Sequence, residues 1–260
     1  MAEETFREAF NGADLDTSRW LPHYLPQWSS RAESAATYEL VDSDLRLSIP
    51  LDQGLWCADT HAKPLRVSGV QSGVFSGPAG STVGQQPFAE SQVVREEQPA
   101  WWGWTPEYGR IEVLARMELS QTSMASVWMV GLEDSPERCG EICLFEVFGN
   151  TISPDGSTAD VGSGLHPFRD PSLVEEFSAD TQHIDVREPH SYAVEWRPDG
   201  VDFLLDDRVV RSTQQAPRYP MQMMIAVFDF PTGEAPTHVP VLAVDDVRGD
   251  PVSHAPGRIE

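Results

Sequence analysis

Apolar residues recur at every second position along this chain far more often than at helical spacing. The clearest run is Gly109 to Leu119, where Ile111, Val113, Ala115 and Met117 share one side and Glu112, Arg116 and Glu118 the other. That is the period of a half-buried antiparallel strand. Convincing recurrence at i, i+3, i+4 and i+7 is absent, so few helices are predicted. Tyr192–Trp196 and Val201–Leu205 read as a hairpin joined by Arg197-Pro-Asp-Gly200, in which Pro presets φ and Gly supplies the left-handed conformer. Asp206-Asp207 then turns the chain into Arg208–Arg211, and further strands are predicted over Tyr38–Leu47, Ala125–Leu132, Glu141–Phe148, Met221–Asp229 and Val241–Arg248. With 21 Pro and 19 Gly punctuating short strands, the pattern predicts an all-β sandwich or jelly roll. Two stretches break it: Ser76–Pro99, rich in Gly, Ser and Gln, and Ser153–Glu176, rich in Pro, Gly, Ser and Asp. Loops of that length either bind something or are disordered. There is no internal repeat and no linker, so residues 1–260 read as one domain.

Composition narrows the function mainly by exclusion. The 260 residues carry 41 acidic and 18 basic side chains, a formal charge of −23, which argues against nucleic acid and anionic membranes as partners. The longest unbroken apolar run is Met223–Phe228, far short of a membrane-spanning helix. The first ten residues, MAEETFREAF, hold no apolar core of a secretory signal. The expected location is therefore cytoplasmic, or extracellular if a leader has been removed. Three cysteines, Cys57, Cys139 and Cys143, make neither a disulfide framework nor a zinc-site spacing and read as structural thiols.

The candidate chemistry lies in Gly140–Asn150, a predicted strand with Glu141 and Glu146 inside an apolar run. Burying an unpaired carboxylate costs several kcal/mol, so two on one strand require water or a purpose. On a regular strand residues five apart point to opposite faces. A β-bulge near Leu144 would bring both carboxylates to one face, with Cys143 between them. A carboxylate pair about 5–5.5 Å apart is what double-displacement glycoside hydrolysis needs. The alternative is a solvent-facing glutamate and a strand-end glutamate with no joint role.

The stretch Glu141-Ile-Cys-Leu-Phe-Glu146 resembles the E-x-D-x-x-E motif of glycoside hydrolase family 16, in the bulged form of laminarinase-like members. Other anchors occur in the family's order along nearly the whole chain. Phe6–Gly12 with Asp16–Trp20 resembles the opening strand, Tyr108–Met117 the Y-G-R-F-E-A-R-M segment, and Ser126–Val130 the apolar strand after it. His190–Trp196, Pro198–Gly200 and Phe203–Asp206 resemble the H-x-Y-x-x-x-W…D-G…F-Y-V-D hairpin, and Val244–Arg248 the closing V-D-Y-V-R strand.

The resemblance implies a concanavalin A-like jelly roll of two curved antiparallel sheets with a sugar cleft on the concave face. It implies a retaining, endo-acting hydrolase of a β-1,3- or mixed-linkage glucan, with Glu141 as nucleophile and Glu146 as acid/base. The family's central Asp is Cys143 here, a weak hydrogen-bonding group that is neutral at pH 7. Turnover is therefore expected to be impaired or retuned. Sugar faces stack on aromatic rings, so Trp128, Trp102 and Trp104 are candidate cleft residues, while Trp196 reads as core. His166 resembles a histidine near the family's cleft, with a roleless loop histidine as the alternative; His190 reads as a hairpin brace. An Arg that the family often places after a Ser-Gly pair is Val here, at Val70 and Val74. No cofactor is needed for the chemistry. A structural calcium is implied at Glu8, the Asn11–Gly12 backbone and Asp245, hard oxygen ligands of the kind calcium takes. The expected partner is a polysaccharide or oligosaccharide substrate bound by a monomer. Two rivals remain on the same scaffold: a lectin-like binder that has lost catalysis, and a transglycosylase.

Overall fold

The computed structural model describes residues 5–89, 91–233 and 236–250. In chain order the strands are β1 (Phe6–Glu8), β2 (Tyr38–Val41), β3 (Asp44–Ser48), β4 (Arg66–Gln71), β5 (Gly73–Val74), β6 (Trp101–Trp102), β7 (Gly109–Glu118), β8 (Ser123–Gly131) and β9 (Glu141–Phe148). They continue as β10 (Ala159–His166), β11 (Glu176–Gln182), β12 (His190–Arg197), β13 (Gly200–Leu205), β14 (Arg208–Thr213), β15 (Met221–Asp229) and β16 (Val241–Asp250). One antiparallel sheet runs β14-β13-β12-β7-β16-β3-β2, with β1 beside β16; the other runs β11-β10-β9-β8-β15-β4. These are the two curved sheets of a jelly-roll sandwich. Helix is confined to two three-residue 3-10 turns among the described residues, and no helix there is long and apolar enough to cross a membrane.

Alternation fixes which face of each strand meets the core. On β7, Ile111, Val113, Ala115 and Met117 are buried against Val127, Met129, Phe145, Ile225 and other residues from the opposite sheet, as the period-two pattern predicts. Trp196 is also core, fully buried, with its Nε1 donating to Pro217 O at 3.0 Å. His190 braces its hairpin, Nδ1 lying 2.8 Å from Asp206 Oδ2.

Two expectations need correction. Tyr38–Leu47, read as one strand, is a hairpin of β2 and β3. Asp42 (φ 55°) and Ser43 (φ 64°) both take the left-handed conformation of a two-residue turn. Asp206 (φ 50°) and Asp207 (φ 59°) repeat this device at the turn that was predicted. Ser153–Glu176, read as irregular, contains β10. Its pattern is masked by Gly162, Ser163 and Gly164, and a Cβ on Gly162 would meet the Phe177 ring at 2.6 Å. The strand is glycine-rich because β11 packs that closely.

Among its described residues the Ser76–Pro99 stretch has no strand, yet it is tied down across the outer face of the six-stranded sheet. Gln85 O accepts from Gln27 Nε2 at 2.9 Å and Trp28 Nε1 at 2.8 Å, while Gln85 Oε1 accepts from Phe75 N at 2.9 Å. Below it lies a second apolar cluster, including Leu25, Trp28, Trp56, Trp128, Met224 and Phe228.

Candidate active site

Strand β9 carries the bulge. Val127 pairs with Phe145 and Trp128 with Cys143, which leaves Leu144 unmatched on β8; the register against β10 also slips, between Gly162 and Gly164. Ile142, Leu144, Phe145 and Val147 all enter the inter-sheet core, while Cys143 joins the outer cluster. Two consecutive inward residues reset the alternation, so Glu141, Cys143 and Glu146 share the outer face.

That placement sets the electrostatics. Burial, then the charge of Glu146, then that of Glu175, push Glu141 up to about 8. Glu146 is also raised by burial, against a lowering influence from His166. Cys143 is driven well above the usual thiol range by burial and by both glutamates. It is a neutral spacer, unfit as a nucleophile. Glu141, buried, and Glu146, half-buried, repel each other, and the pair keeps one proton through neutral pH.

Trp128 lies beside Cys143 on β8, buried, with its ring 6.1 Å from Phe228 and its Nε1 without a protein partner. Phe228, Phe230 and Phe148 continue the aromatic line outward, with ring centroids 6.4 and 6.1 Å apart. Trp102 is half-buried on β6 beside Gly73, where Gln222 Oε1 also approaches. Gln222 is two strands from Glu141, through Val130. Trp104 lies elsewhere: it stacks on Phe6 at 4.1 Å and packs against the inter-sheet core and Gly249. The cleft expectation for Trp104 is corrected, because β1 claims its ring face. His166 does reach the site, in register with Glu141, its ring 4.5 Å from Phe177 and its Nδ1 2.8 Å from Glu175 Oε1. Val70 faces the core, so it would not supply a cleft contact.

The implied calcium does not fit the residues present. Glu8 Oε1 accepts from Phe10 N at 3.1 Å and its Oε2 sits 3.4 Å from Arg19 Nη1. Asp245 faces Asp44, which is already ion-paired with Arg116, and burial together with Asp44 raises the Asp245 pKa. The two proposed ligands thus serve separate neighbours. Among the described residues no group of three or more His, Cys, Asp or Glu is arranged to hold a metal.

Sequence reasoning missed three residues at this site. Gln86 Nε2 lies 3.2 Å from Glu141 Oε2, Gln86 N donates to Glu133 Oε1 at 2.6 Å, and Glu133 is ion-paired with Arg169. A cavity of about 220 Å³ opens there, lined by Tyr24, Trp56, Gln86, Phe88, Glu133 and Arg169 among others. No motif marks them. They come together through the fold of the Ser76–Pro99 stretch, the turn after β8 and the connection from β10 to β11.

A sequence profile of glycosyl hydrolases family 16 matches residues 104–238. No curated protein matches the chain in sequence. Among solved structures, the chain is similar to a GlcNAcα1-4Gal-releasing endo-β-galactosidase from Clostridium perfringens, with a TM-score of 0.77 at 24% identity over 94% of this chain. It spans 61% of the length of that galactosidase structure. It is similar to a laminarinase from Flavobacterium sp. UMI-01 (TM-score 0.63, 18% identity, 94% of this chain and 98% of that one). It is also similar to a β-1,3-1,4-glucanase, or lichenase, from a mouse hindgut metagenome (TM-score 0.60, 17% identity, 95% and 99%).

Proposed function

The chain belongs to the glycosyl hydrolases family 16, and from that premise we propose that it is a single-domain, retaining, endo-acting glycoside hydrolase of a β-1,3- or mixed-linkage glucan. Glu141 is the nucleophile and Glu146 the acid/base. The bulge at Leu144, which brings the two glutamates to one face of β9, carries this reading.

A Glu141 oxygen attacks the anomeric carbon while Glu146 passes its proton to the leaving glycosidic oxygen, whose bond to that carbon breaks. The shortened glycan departs, leaving a glycosyl ester on Glu141. Glu146, now a carboxylate, takes a proton from water; the water oxygen attacks the anomeric carbon, the ester bond breaks, and Glu141 is regenerated. Both displacements invert the centre, so configuration is retained overall. Trp128 and Trp102 offer sugar-stacking faces, and His166 pulls Glu146 toward its ionised form, the form that activates water in the second step.

The chemistry needs the shared proton on Glu146, whereas in the free chain Glu141, in the more buried position, holds it more tightly. The motif's missing acid at Cys143 is the reason the reading includes slowed turnover. A second substrate reading, a β-galactoside, draws support from the greater similarity to the endo-β-galactosidase than to the laminarinase.

The test is release of reducing ends from laminarin, lichenan and agarose by the wild type and Glu141→Gln. Release by the wild type with the β-anomer formed first, and a loss of at least about a thousandfold in Glu141→Gln, is the expected result. Sugar binding with no release from any of the three would move the protein to the lectin reading.

A further inference from the structure

Among the described residues, the Gln86 amide makes the one hydrogen bond to either glutamate carboxylate. Apart from His166, everything else that faces Glu141 is neutral or repels it: Glu146 and Cys143 on β9, Glu175 before β11, and Tyr24 from the segment before β2, a phenol whose own pKa is raised by burial and by Glu141. Gln86 does not reach the carboxylate by accident of an exposed rotamer. Its backbone is left-handed (φ 46°), as is that of Glu133 (φ 53°), which accepts its N–H. Two strained non-glycine residues locked to each other beside a buried acid are a mark of a site held in a set geometry. Arg169 neutralises Glu133, so the anchor adds no repulsion. Burial pushes Glu133 up to about 7, against the pull of the Gln86 N–H and Arg169.

We propose that Gln86 is a positioning residue for Glu141, supplying the orienting hydrogen bond that the neighbouring Cys143 thiol does not, with Glu133 and Arg169 as its anchor. The inference rests on the reading of Glu141 as nucleophile. The amide N–H favours the ionised carboxylate and fixes the direction of its attacking oxygen, biasing the shared proton toward Glu146.

The experiment is a carboxyl-carbon NMR titration of the full chain with labelled glutamate, in the wild type, Gln86→Asn, Gln86→Met and Glu133→Gln. Asn tolerates the left-handed backbone but is too short to reach; Met keeps the length and lacks the donor. Glu141 is expected to titrate about one pH unit higher in both Gln86 variants and by a smaller amount in Glu133→Gln. The acid limb of the kcat/KM profile is expected to move with it. The loss in kcat from Gln86→Asn shrinks when Cys143→Asp is also present. An unmoved Glu141 titration in folded Gln86→Asn and Gln86→Met overturns the proposal. The titration needs no turnover, so a wild type that cleaves none of the three glycans defeats the hydrolase reading separately.

Discussion

Two pairs of ionisable residues, largely shielded from water, lie on the same six-stranded sheet and are treated in opposite ways. At one edge, Arg66 and Asp229 face each other across β4 and β15. Asp229 Oδ2 accepts from Arg66 Nε at 3.0 Å and Nη2 at 2.7 Å, and its Oδ1 accepts from the Thr122 hydroxyl at 2.7 Å. Arg66 Nη1 donates to the carbonyls of Pro50 and Leu51 at 3.0 and 3.3 Å. Charge and hydrogen-bonding capacity are both matched. At the centre, Glu141 and Glu146 have like charge, share one neighbouring thiol, and receive a single amide hydrogen bond. A protein that can close a buried charge so completely at one place leaves it open at another, at the pair proposed to be catalytic. The fold is held by the first kind of pair and destabilised by the second.

The largest effect tests the closed pair. Arg66→Ala leaves Asp229 buried with only the Thr122 hydroxyl, and a loss of about 3–5 kcal/mol in urea unfolding is expected. The double replacement Arg66→Met, Asp229→Leu is expected to recover most of it, since apolar pairs of similar volume often serve as well. A cost below about 1 kcal/mol for Arg66→Ala would erase the contrast.

The next effect tests the open pair and has the opposite sign. Glu141 in the folded chain titrates at about 8, above its ordinary 4.5, so the proton is held more tightly folded than unfolded. Its contribution to stability is full below about pH 4.5 and is lost as pH climbs through 8; Glu133, raised to about 7, acts in the same direction. Glu141→Gln removes the Glu141 part. It is expected to exceed the wild type in stability by roughly 2–4 kcal/mol at pH 8 and to match it near pH 4.5, read by thermal melts across the pH range. Equal melts at pH 8 would mean that Glu141 is not strained by its burial.

The two pairs were unequally legible in the sequence. Period-two patterning found most strands because burial on one face leaves that trace, as on β7. It failed where a second constraint overrode burial: at Asp42-Ser43, a turn without glycine, and along β10, where close packing of Phe177 demanded Gly162. The bulge was legible because two acids five places apart on a strand share a face only with an extra residue, and because Glu141–Glu146 resembles a bulged family motif. Arg66–Asp229 and Gln86–Glu133 were not, since pairs separated by 163 and 47 positions leave no local pattern. Trp104 misled because an aromatic residue near a predicted cleft strand looks alike whether it stacks on a sugar or on Phe6.

The smallest expected effect is at Cys143, and it bears most directly on why the open pair is open. Replacing the thiol by a carboxyl, Cys143→Asp, adds a third acid between Glu141 and Glu146 at a position now fully buried. Stability falls, because another carboxyl must be desolvated without a cation. Turnover is expected to rise, because the new carboxyl can hydrogen-bond Glu141 and repel charge on Glu146, sending the shared proton to the residue proposed as its donor. A gain of about tenfold in kcat, equivalent to ~1.4 kcal/mol in the barrier, alongside a lower melting temperature is the expected pair of results on a laminarin or lichenan assay. A gain in stability with unchanged turnover would reverse the argument. It would mean that the thiol, and not the acid, is the strained occupant of the site, and that the open pair owes its state to the covering loop that holds Gln86.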